Sequence, residues 1–176
     1  MVRCFVGVFV PDGIKEKIVE IQNQIKKLPI SLKLVEKENL HICLSFLGEV
    51  EEKKLIEIQE KLDMICKRYK KFDVEISGIK FIPTENYVRV LALGIKDSIL
   101  ESIRKNVVNE IGGDSKPLHL TLCRVKNIEN KKETIEKIKA IDSYVGKFTI
   151  EKICLIKSVL QRTGPIYTSI KESFLL

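Results

Sequence analysis

Two short runs constrain this chain most, because each begins with one of its only two histidines. The first run is HICLSF, residues 41–46, and the second is HLTLCR, residues 119–124. Polar and apolar residues alternate in both, which is the pattern of a half-buried β-strand. Each histidine therefore shares a face with a small polar residue two positions later, Cys43 or Thr121. The alternate residues are expected to face the core, namely Ile42, Leu44, Leu120 and Leu122. If the two strands face each other, they form a site with two acid–base groups. The alternative is that each histidine has an unrelated structural role or is simply exposed.

Length and charge limit the class of protein. At 176 residues the chain has the length of one domain, or of two small lobes sharing an interface, and can bury a core without disulfides or metals. The net charge of +7 favours an anionic partner, with nucleic acid first and a membrane surface second. Many lysines are mixed with glutamates, as in KEK at 15–17, so we expect much of this charge to be solvated surface.

The cysteines indicate a reducing environment. There are five, at positions 4, 43, 66, 123 and 154, with no C-x-x-C pair, which is typical of reduced thiols in a cytosolic protein. A zinc site built from the two histidines with Cys43 and Cys123 would need spacings that match no common zinc pattern, so we expect no metal and no cofactor. The apolar run at 4–10 is too short to span a bilayer. We therefore expect a soluble, cytoplasmic monomer without membrane attachment.

Hydrophobic periodicity predicts alternating strands and helices. Strands are predicted at 2–10, at both histidine runs, and at 72–82, 87–95, 147–160 and 165–174. Helices are predicted at 14–28, 51–69, 98–111 and 130–141. We expect Gly48 to end the first histidine strand, and Ser98 and Asn130 to cap the last two helices.

The two halves of the chain repeat one order of elements. Each half has a strand, a helix, a histidine strand, a helix, and a strand beginning Phe-x-(Val/Ile)-Glu, at 72–75 or 148–151. This repeat predicts a single domain over residues 1–176 with two related lobes, about 1–83 and 84–176, around a pseudo-twofold axis. A doubly wound parallel sheet would also alternate strands and helices, but no glycine-rich phosphate loop follows any strand.

Paired imidazoles suit general acid–base catalysis near neutral pH, because the unperturbed pKa of histidine is about 6.5. The small polar neighbours could hold an anion, and a nearby arginine could neutralise a phosphoryl group. This equipment suits attack on a phosphodiester without a metal. Arg3 and Arg89 take matching positions in the repeat, which favours a structural or exposed role for both.

The two histidine runs, of the type H-x-[T/S]-x, resemble the two-histidine phosphoesterase superfamily, and more closely its RNA 2′,3′-cyclic phosphodiesterase (2′-5′ RNA ligase) family. The similarity includes RCFV at 3–6, ENLH at 38–41, FLG at 46–48, the second histidine run, SVL at 158–160 and GPIY at 164–167. The resemblance implies an α+β, bilobal fold with two antiparallel sheets lining a central cleft and helices outside. It implies opening of RNA 2′,3′-cyclic phosphate ends to 2′-phosphates without a metal. It also implies joining such an end to a 5′-hydroxyl as a 2′-5′ linkage, with tRNA fragments among the candidate substrates.

The same resemblance implies roles for individual residues. His119 would be the base that activates water, and His41 the acid that protonates the departing O3′. The substrate-binding residues would be Cys43, Thr121, Arg124, Phe46 and Tyr167. Phe46 would either stack on a base or pack in the core, and Tyr167 with Ser158 would either line the cleft or simply end strands.

Three features depart from the family pattern. Cys43 places a thiol where the family has the hydroxyl of Thr or Ser. Pro117 stands two residues before His119, where we expect the proline directly before the histidine. Arg124 lies five positions after His119, so alternation puts it on the opposite face unless the strand ends or bulges near Cys123. Two other functions stay open: a non-catalytic RNA-end binding module, which Cys43 favours, and a phosphodiesterase for a small cyclic nucleotide-like substrate.

Overall fold

The computed structural model describes residues 1–176, which form nine strands and four α-helices. The strands are β1 (Val2–Phe9), β2 (Ile30–Leu34), β3 (His41–Val50), β4 (Phe72–Pro83), β5 (Val88–Ile95), β6 (His119–Ile128), β7 (Tyr144–Ile150), β8 (Lys152–Gln161) and β9 (Gly164–Phe174). The helices are α1 (Asp12–Lys26), α2 (Glu52–Cys66), α3 (Ser98–Glu110) and α4 (Lys131–Lys139). None of these helices combines the length and the apolar character needed to cross a membrane.

The strands form two antiparallel sheets. One sheet has the order β3-β1-β8-β9, and the other has the order β2-β6-β5-β4-β7. Each sheet contains the same series: a histidine strand, the first strand of the same sequence half, and then a strand from the other half, as in β3-β1-β8 and β6-β5-β4. The predicted α+β class with two antiparallel sheets is confirmed.

The sheets mix the two sequence halves. β4 belongs to the first half but pairs with β5 and β7, whereas β8 and β9 complete the sheet that holds β1. The single strand predicted over 147–160 is wrong, because the chain leaves one sheet after Ile150 and joins the other at Lys152. The two Phe-x-(Val/Ile)-Glu segments lie opposite each other on β4 and β7 rather than in equivalent places. A sheet therefore does not coincide with residues 1–83 or 84–176, and the division into two lobes within one domain stays a prediction.

The predicted helix caps are wrong in detail. Asp97, not Ser98, caps α3, and its side chain accepts a hydrogen bond from the backbone N–H of Leu100 at 2.8 Å. Asn130 precedes α4 in the left-handed region, with φ of 46°, and its side chain makes no capping hydrogen bond. Both helices nevertheless begin within one residue of the predicted positions, because their apolar stripes pack on the sheets.

The apolar core holds the histidine strands in register. Ile42, Leu44, Leu120 and Leu122, the residues predicted to face inward, are all fully buried. Complete burial of such a side chain is worth about 1.5–3 kcal/mol. A slip of one residue in either strand would turn these side chains out to solvent. Core packing therefore decides which face of each strand carries its histidine.

Candidate active site

Both histidine rings are held in the same way by their own chain. His41 Nδ1 lies 2.7 Å from the carbonyl oxygen of Asn39, and His119 Nδ1 lies 2.7 Å from that of Pro117. A carbonyl can only accept a hydrogen bond, so Nδ1 carries the proton in each ring. Nε2 is then the nitrogen that is free to take or give a proton. Pro117 stands two residues before His119, as Asn39 stands two residues before His41, and its carbonyl takes the equivalent place.

A β-bulge interrupts each histidine strand. The extra residue is Leu44 in β3 and Leu122 in β6, each three positions after its histidine. An extra residue reverses the alternation of faces beyond it. Phe46 and Arg124, each five positions after a histidine, consequently line the cleft. The bulge that Arg124 requires is thus present, beside Cys123.

The carbonyls of the two bulged leucines are bound by side chains from elsewhere in the chain. Ser115 Oγ donates to Leu44 O at 2.7 Å, and Gln22 Nε2 donates to Leu122 O at 2.9 Å. Gln22 is only 3% exposed. No motif in the sequence marks Gln22, although its place four residues after Ile18 on the apolar stripe of α1 is a usable signal for a buried polar group.

The loop before β6 ties the two histidine strands together. Phe46 and Asp114 exchange two backbone hydrogen bonds, of 2.7 and 2.9 Å. Ser45 Oγ donates to Gly112 O at 2.7 Å. Gly113 has φ of 97°, and a Cβ there would collide with the Ser45 hydroxyl, so only glycine fits. These bonds bring the start of β6 against β3.

His41 lines a cavity of about 410 Å³ that is lined by strands of both sheets. Its ring packs against Phe5 at a centroid distance of 4.8 Å and edge-on against Tyr167 at 5.2 Å. Burial lowers the pKa of His41, the hydrogen bond to Asn39 opposes this, and the charge of His119 lowers the pKa further. His41 is therefore mainly neutral at pH 7, and the two imidazoles are close enough for charge on one to disfavour charge on the other.

Asn39 connects the His41 ring to the β8–β9 hairpin. Its carbonyl binds His41, and its side-chain amide donates to Pro165 O at 2.7 Å. Pro165 lies two residues before Tyr167, whose ring packs on His41. Pro117 offers no side-chain donor for a similar link at His119.

Two groups beside His41 stay protonated at neutral pH. Burial, with a further contribution from the Asp114 carboxylate, raises the pKa of the Cys43 thiol to about 11. Burial also raises the pKa of Tyr167, although the charges of Arg124 and Arg3 oppose the rise. Cys43 and Tyr167 are therefore available as hydrogen-bond donors in the cleft.

Arg3 lies in the cleft, although a structural or exposed role was predicted. It lines the cavity beside His41, with its guanidinium carbon 5.0 Å from the centroid of the Phe46 ring. The predicted equivalence with Arg89 is wrong, because the strand register makes Val88 the counterpart of Arg3. Arg89 is exposed and lies over the Tyr87 ring at 5.8 Å.

Three cationic side chains and one acidic side chain, that of Glu36, line this cavity, so its net charge is positive. Arg3, Lys33 and Arg124 line it, and none of them forms an ion pair. Lys33 and Arg124 stand directly opposite each other on β2 and β6, and like charges in that arrangement repel. An anion bound between them would relieve the repulsion. No group of three His, Cys, Asp or Glu side chains is arranged to hold a metal ion.

A second cavity, of about 840 Å³, lies on the other side of Thr121 and Arg124. Those two residues line both cavities, whereas His41 lines only the first and His119 only the second. Of the seven predicted site residues, the first cavity holds six: His41, Cys43, Phe46, Thr121, Arg124 and Tyr167. The structure therefore brings all seven to two adjoining cavities, while their individual roles stay predictions.

Two related sheets that carry paired imidazoles around a cationic cleft define a phosphoesterase of the two-histidine type. The family model described as LigT like Phosphoesterase matches residues 8–92 and 99–167. The RNA 2′,3′-cyclic phosphodiesterase of Methanocaldococcus jannaschii is 42% identical over 179 residues, which cover 97% of this chain and 99% of the relative. That of Aquifex aeolicus is 33% identical, with 99% and 98% covered. The chain belongs to the LigT-like phosphoesterase family and is an enzyme.

Solved structures share the fold. TT0787 of Thermus thermophilus superimposes with a TM-score of 0.83 at 22% identity, covering 98% of this chain and 97% of that chain. LigT of E. coli, solved in complex with 3′-AMP, has a TM-score of 0.74 at 21% identity, with 99% and 98% covered. The family resemblance noted in the sequence is confirmed by the relatives, and the fold by these structures.

Proposed function

We propose that this enzyme opens RNA 2′,3′-cyclic phosphate ends to 2′-phosphates by acid–base catalysis without a metal. The observation that carries the proposal is the pair of imidazoles, each with Nδ1 bound to a carbonyl and Nε2 free, in cavities that meet at Thr121 and Arg124. The relative from Methanocaldococcus jannaschii, at 42% identity, is named for this reaction.

In-line attack assigns different tasks to the two histidines. Water enters opposite the leaving O3′, so the base and the acid stand on opposite sides of the phosphorus. We assign the acid role to His41, because its cavity contains the aromatic rings of Phe5 and Tyr167, which suit the nucleoside that carries O3′. His119 Nε2 takes the proton from water as the new P–O bond forms. The P–O3′ bond breaks, and O3′ receives the proton of His41.

The acid role requires His41 to gain a proton when substrate binds. In the free protein, burial and the charge of His119 keep the pKa of His41 low. The negative charge of a bound phosphodiester acts in the opposite direction and raises that pKa. Substrate binding therefore favours the protonated form of His41, which is the form that the acid role needs.

The remaining groups hold the phosphate and the nucleoside. Arg124 and Lys33 lie opposite each other and stabilise the negative charge that grows on the phosphoryl oxygens. The Thr121 hydroxyl and the neutral Cys43 thiol donate hydrogen bonds to these oxygens. Phe46 is 37% exposed and offers its face for stacking on a base.

A 5′-hydroxyl in place of water would yield a 2′-5′ linkage by the same steps, and we propose this ligation as a second outcome of one site. We also propose that the enzyme acts as a monomer in the cytoplasm, on ends such as those of tRNA fragments. Five free cysteines, four of them buried, support a reducing compartment.

The proposal is tested by incubating a short RNA that ends in a 2′,3′-cyclic phosphate with the protein in excess chelator, followed by mass spectrometry of the products. We expect a 2′-phosphate. Binding without turnover would instead identify an RNA-end binding module. Turnover of cyclic mononucleotides but not of RNA would identify a small-molecule phosphodiesterase, and activity that needs an added divalent ion would overturn the metal-free mechanism.

A further inference from the structure

The second cavity is larger than hydrolysis requires. It measures about 840 Å³, against about 410 Å³ for the cavity of His41. A water molecule occupies about 30 Å³ of liquid volume, whereas cavities of about 300–1,000 Å³ are typical of ligand sites. The cavity reaches His119 at the shared boundary formed by Thr121 and Arg124. Its size and position indicate that it binds something larger than the water molecule that attacks phosphorus.

The lining of this cavity combines apolar side chains with positive charge. Phe81 and Val90 are half-buried in its wall, and Lys80 and Lys116 are exposed at its surface. Its one acidic residue, Glu85, forms an ion pair with Lys139 at 2.9 Å. Lys116 forms a longer ion pair, of 3.6 Å, with Asp114, and both of those side chains are exposed. Lys80 and Arg124 have no acidic partner, so positive charge dominates the lining. An apolar wall beside ammonium groups suits a nucleoside followed by a phosphate.

The stereochemistry of attack decides which nucleoside would occupy the second cavity. The strand that carries the cyclic phosphate is bonded to phosphorus through O2′ and O3′, and its leaving O3′ lies on the side of His41. A nucleophile must enter from the opposite side, which is the cavity of His119. We propose that the second cavity binds the 5′-terminal nucleotide of an RNA strand with a 5′-hydroxyl, the attacking strand in 2′-5′ joining. This inference rests on the proposed function.

The step is balanced without any co-reactant. The O5′ proton passes to His119 Nε2 as the O5′–P bond forms, and the P–O3′ bond breaks as O3′ takes the proton of His41. Lys80 and Lys116 contact the first phosphates downstream of the 5′-hydroxyl nucleoside. Water uses the same path when no strand is bound.

The test uses the double variant Lys80→Glu with Lys116→Glu and a matched control, Lys27→Glu with Lys105→Glu. The control pair makes the same change in net charge at exposed lysines that line neither cavity. The probe is an RNA tetranucleotide with a 5′-hydroxyl and a plain 3′-hydroxyl, whose binding is followed by NMR of the backbone amides. Hydrolysis of a dinucleotide that ends in a cyclic phosphate is measured separately.

We expect the first double variant to weaken tetranucleotide binding at least about tenfold, because lysine–phosphate contacts supply much of such affinity. Dinucleotide hydrolysis should change less than about threefold, since that substrate leaves the second cavity to water. The control variant should bind like the wild type. Equal binding by both variants would overturn the inference. So would a loss of hydrolysis confined to long cyclic-phosphate strands, which would place the donor strand in this cavity. Failure of the proposed function would appear differently, as no dinucleotide hydrolysis by the wild type.

Discussion

The strands that carry His41 and His119 share one backbone design but have different neighbours. In both, Nδ1 binds a carbonyl two residues earlier at 2.7 Å. In both, a bulged leucine turns the fifth residue after the histidine into the cleft. His41, however, packs between the rings of Phe5 and Tyr167, and His119 makes no aromatic contact. In the proposed mechanism, the common backbone brings two acid–base groups to one phosphate, and the different neighbours give them different roles.

The cation beside each motif also has a different origin. The second histidine strand supplies its own, Arg124, at the position that Phe46 occupies in the first. Beside the first histidine strand, the cation comes from the neighbouring strand β1, whose Arg3 places its guanidinium over the ring of Phe46. In the proposed mechanism, Arg124 binds the phosphate, whereas the aromatic ring of Phe46 at the equivalent position stacks on a base.

The largest expected effect comes from removing either imidazole. His41→Ala and His119→Ala should each lower kcat/KM on cyclic-phosphate RNA by at least about 100-fold, the low end for general acid–base catalysis. The double variant should be little worse than either single one, because both protons move in one step. Initial rates, with circular dichroism as the folding control, test this. Full activity in either single variant would show that the histidine removed is not needed as an acid or a base.

The next effect separates the two small polar residues. A hydrogen bond to a charged group is worth about 1.5–3 kcal/mol, so Thr121→Ala should lower kcat/KM by very roughly 10- to 150-fold. Cys43→Ala should cost less, because a neutral thiol is a weaker donor than a hydroxyl. Cys43→Thr should keep or raise kcat/KM. A large loss in Cys43→Ala with Thr121→Ala nearly silent would reverse the assignment of the stronger phosphate contact.

A smaller effect tests the supports of the two bulges. Gln22→Met removes the donor to Leu122 O with little change in volume, and Ser115→Ala removes the donor to Leu44 O. Each should lower the free energy of unfolding by about 0.5–1.5 kcal/mol, measured by denaturant titration. Gln22→Met should also raise KM, because the bulge that it supports directs Arg124. An unchanged KM would show that the bulge holds without the glutamine.

The smallest effect concerns the charge that one histidine imposes on the other. The His41 ring, followed by NMR, should titrate below its ordinary pKa of 6.5, chiefly because of burial. In His119→Ala the pKa of His41 should rise, because the opposing charge is gone. Because the pKa of His41 is lower in the folded protein than in the unfolded chain, the unfolded chain takes up the proton at a higher pH. The free energy of unfolding should therefore fall as the pH drops from about 6.5 towards the pKa of the folded protein. An unchanged pKa of His41 in His119→Ala would show that the charge of His119 does not act on His41.

Local patterns in the sequence were sufficient for the four helices, for most of the strands and for the side of each strand that carries its histidine. They missed β2, joined β7 to β8, and ended β3 at Gly48 although it continues to Val50. Alternation of apolar and polar residues places Cys43 with His41, and Thr121 with His119, because neighbouring side chains on a strand point to opposite faces. The same pattern correctly placed Ile42 and Leu120 in the core. These properties depend on residues within a few positions of one another.

Only the tertiary structure decided what surrounds these residues. Strand register across β1 and β5 sends Arg3 into the cleft and Arg89 to the surface, although the repeat in the sequence made them equivalent. Phe5 and Tyr167, which lower the pKa of His41 by burying it, come from β1 and β9. Alternation in the sequence indicated only that Arg124 needs a bulge near Cys123 to reach the cleft, and the pairing of β5 with β6 supplies it. Sheet membership, strand register and burial arise from hydrogen bonds and packing between segments far apart in the chain, so no local pattern in the sequence could reveal them.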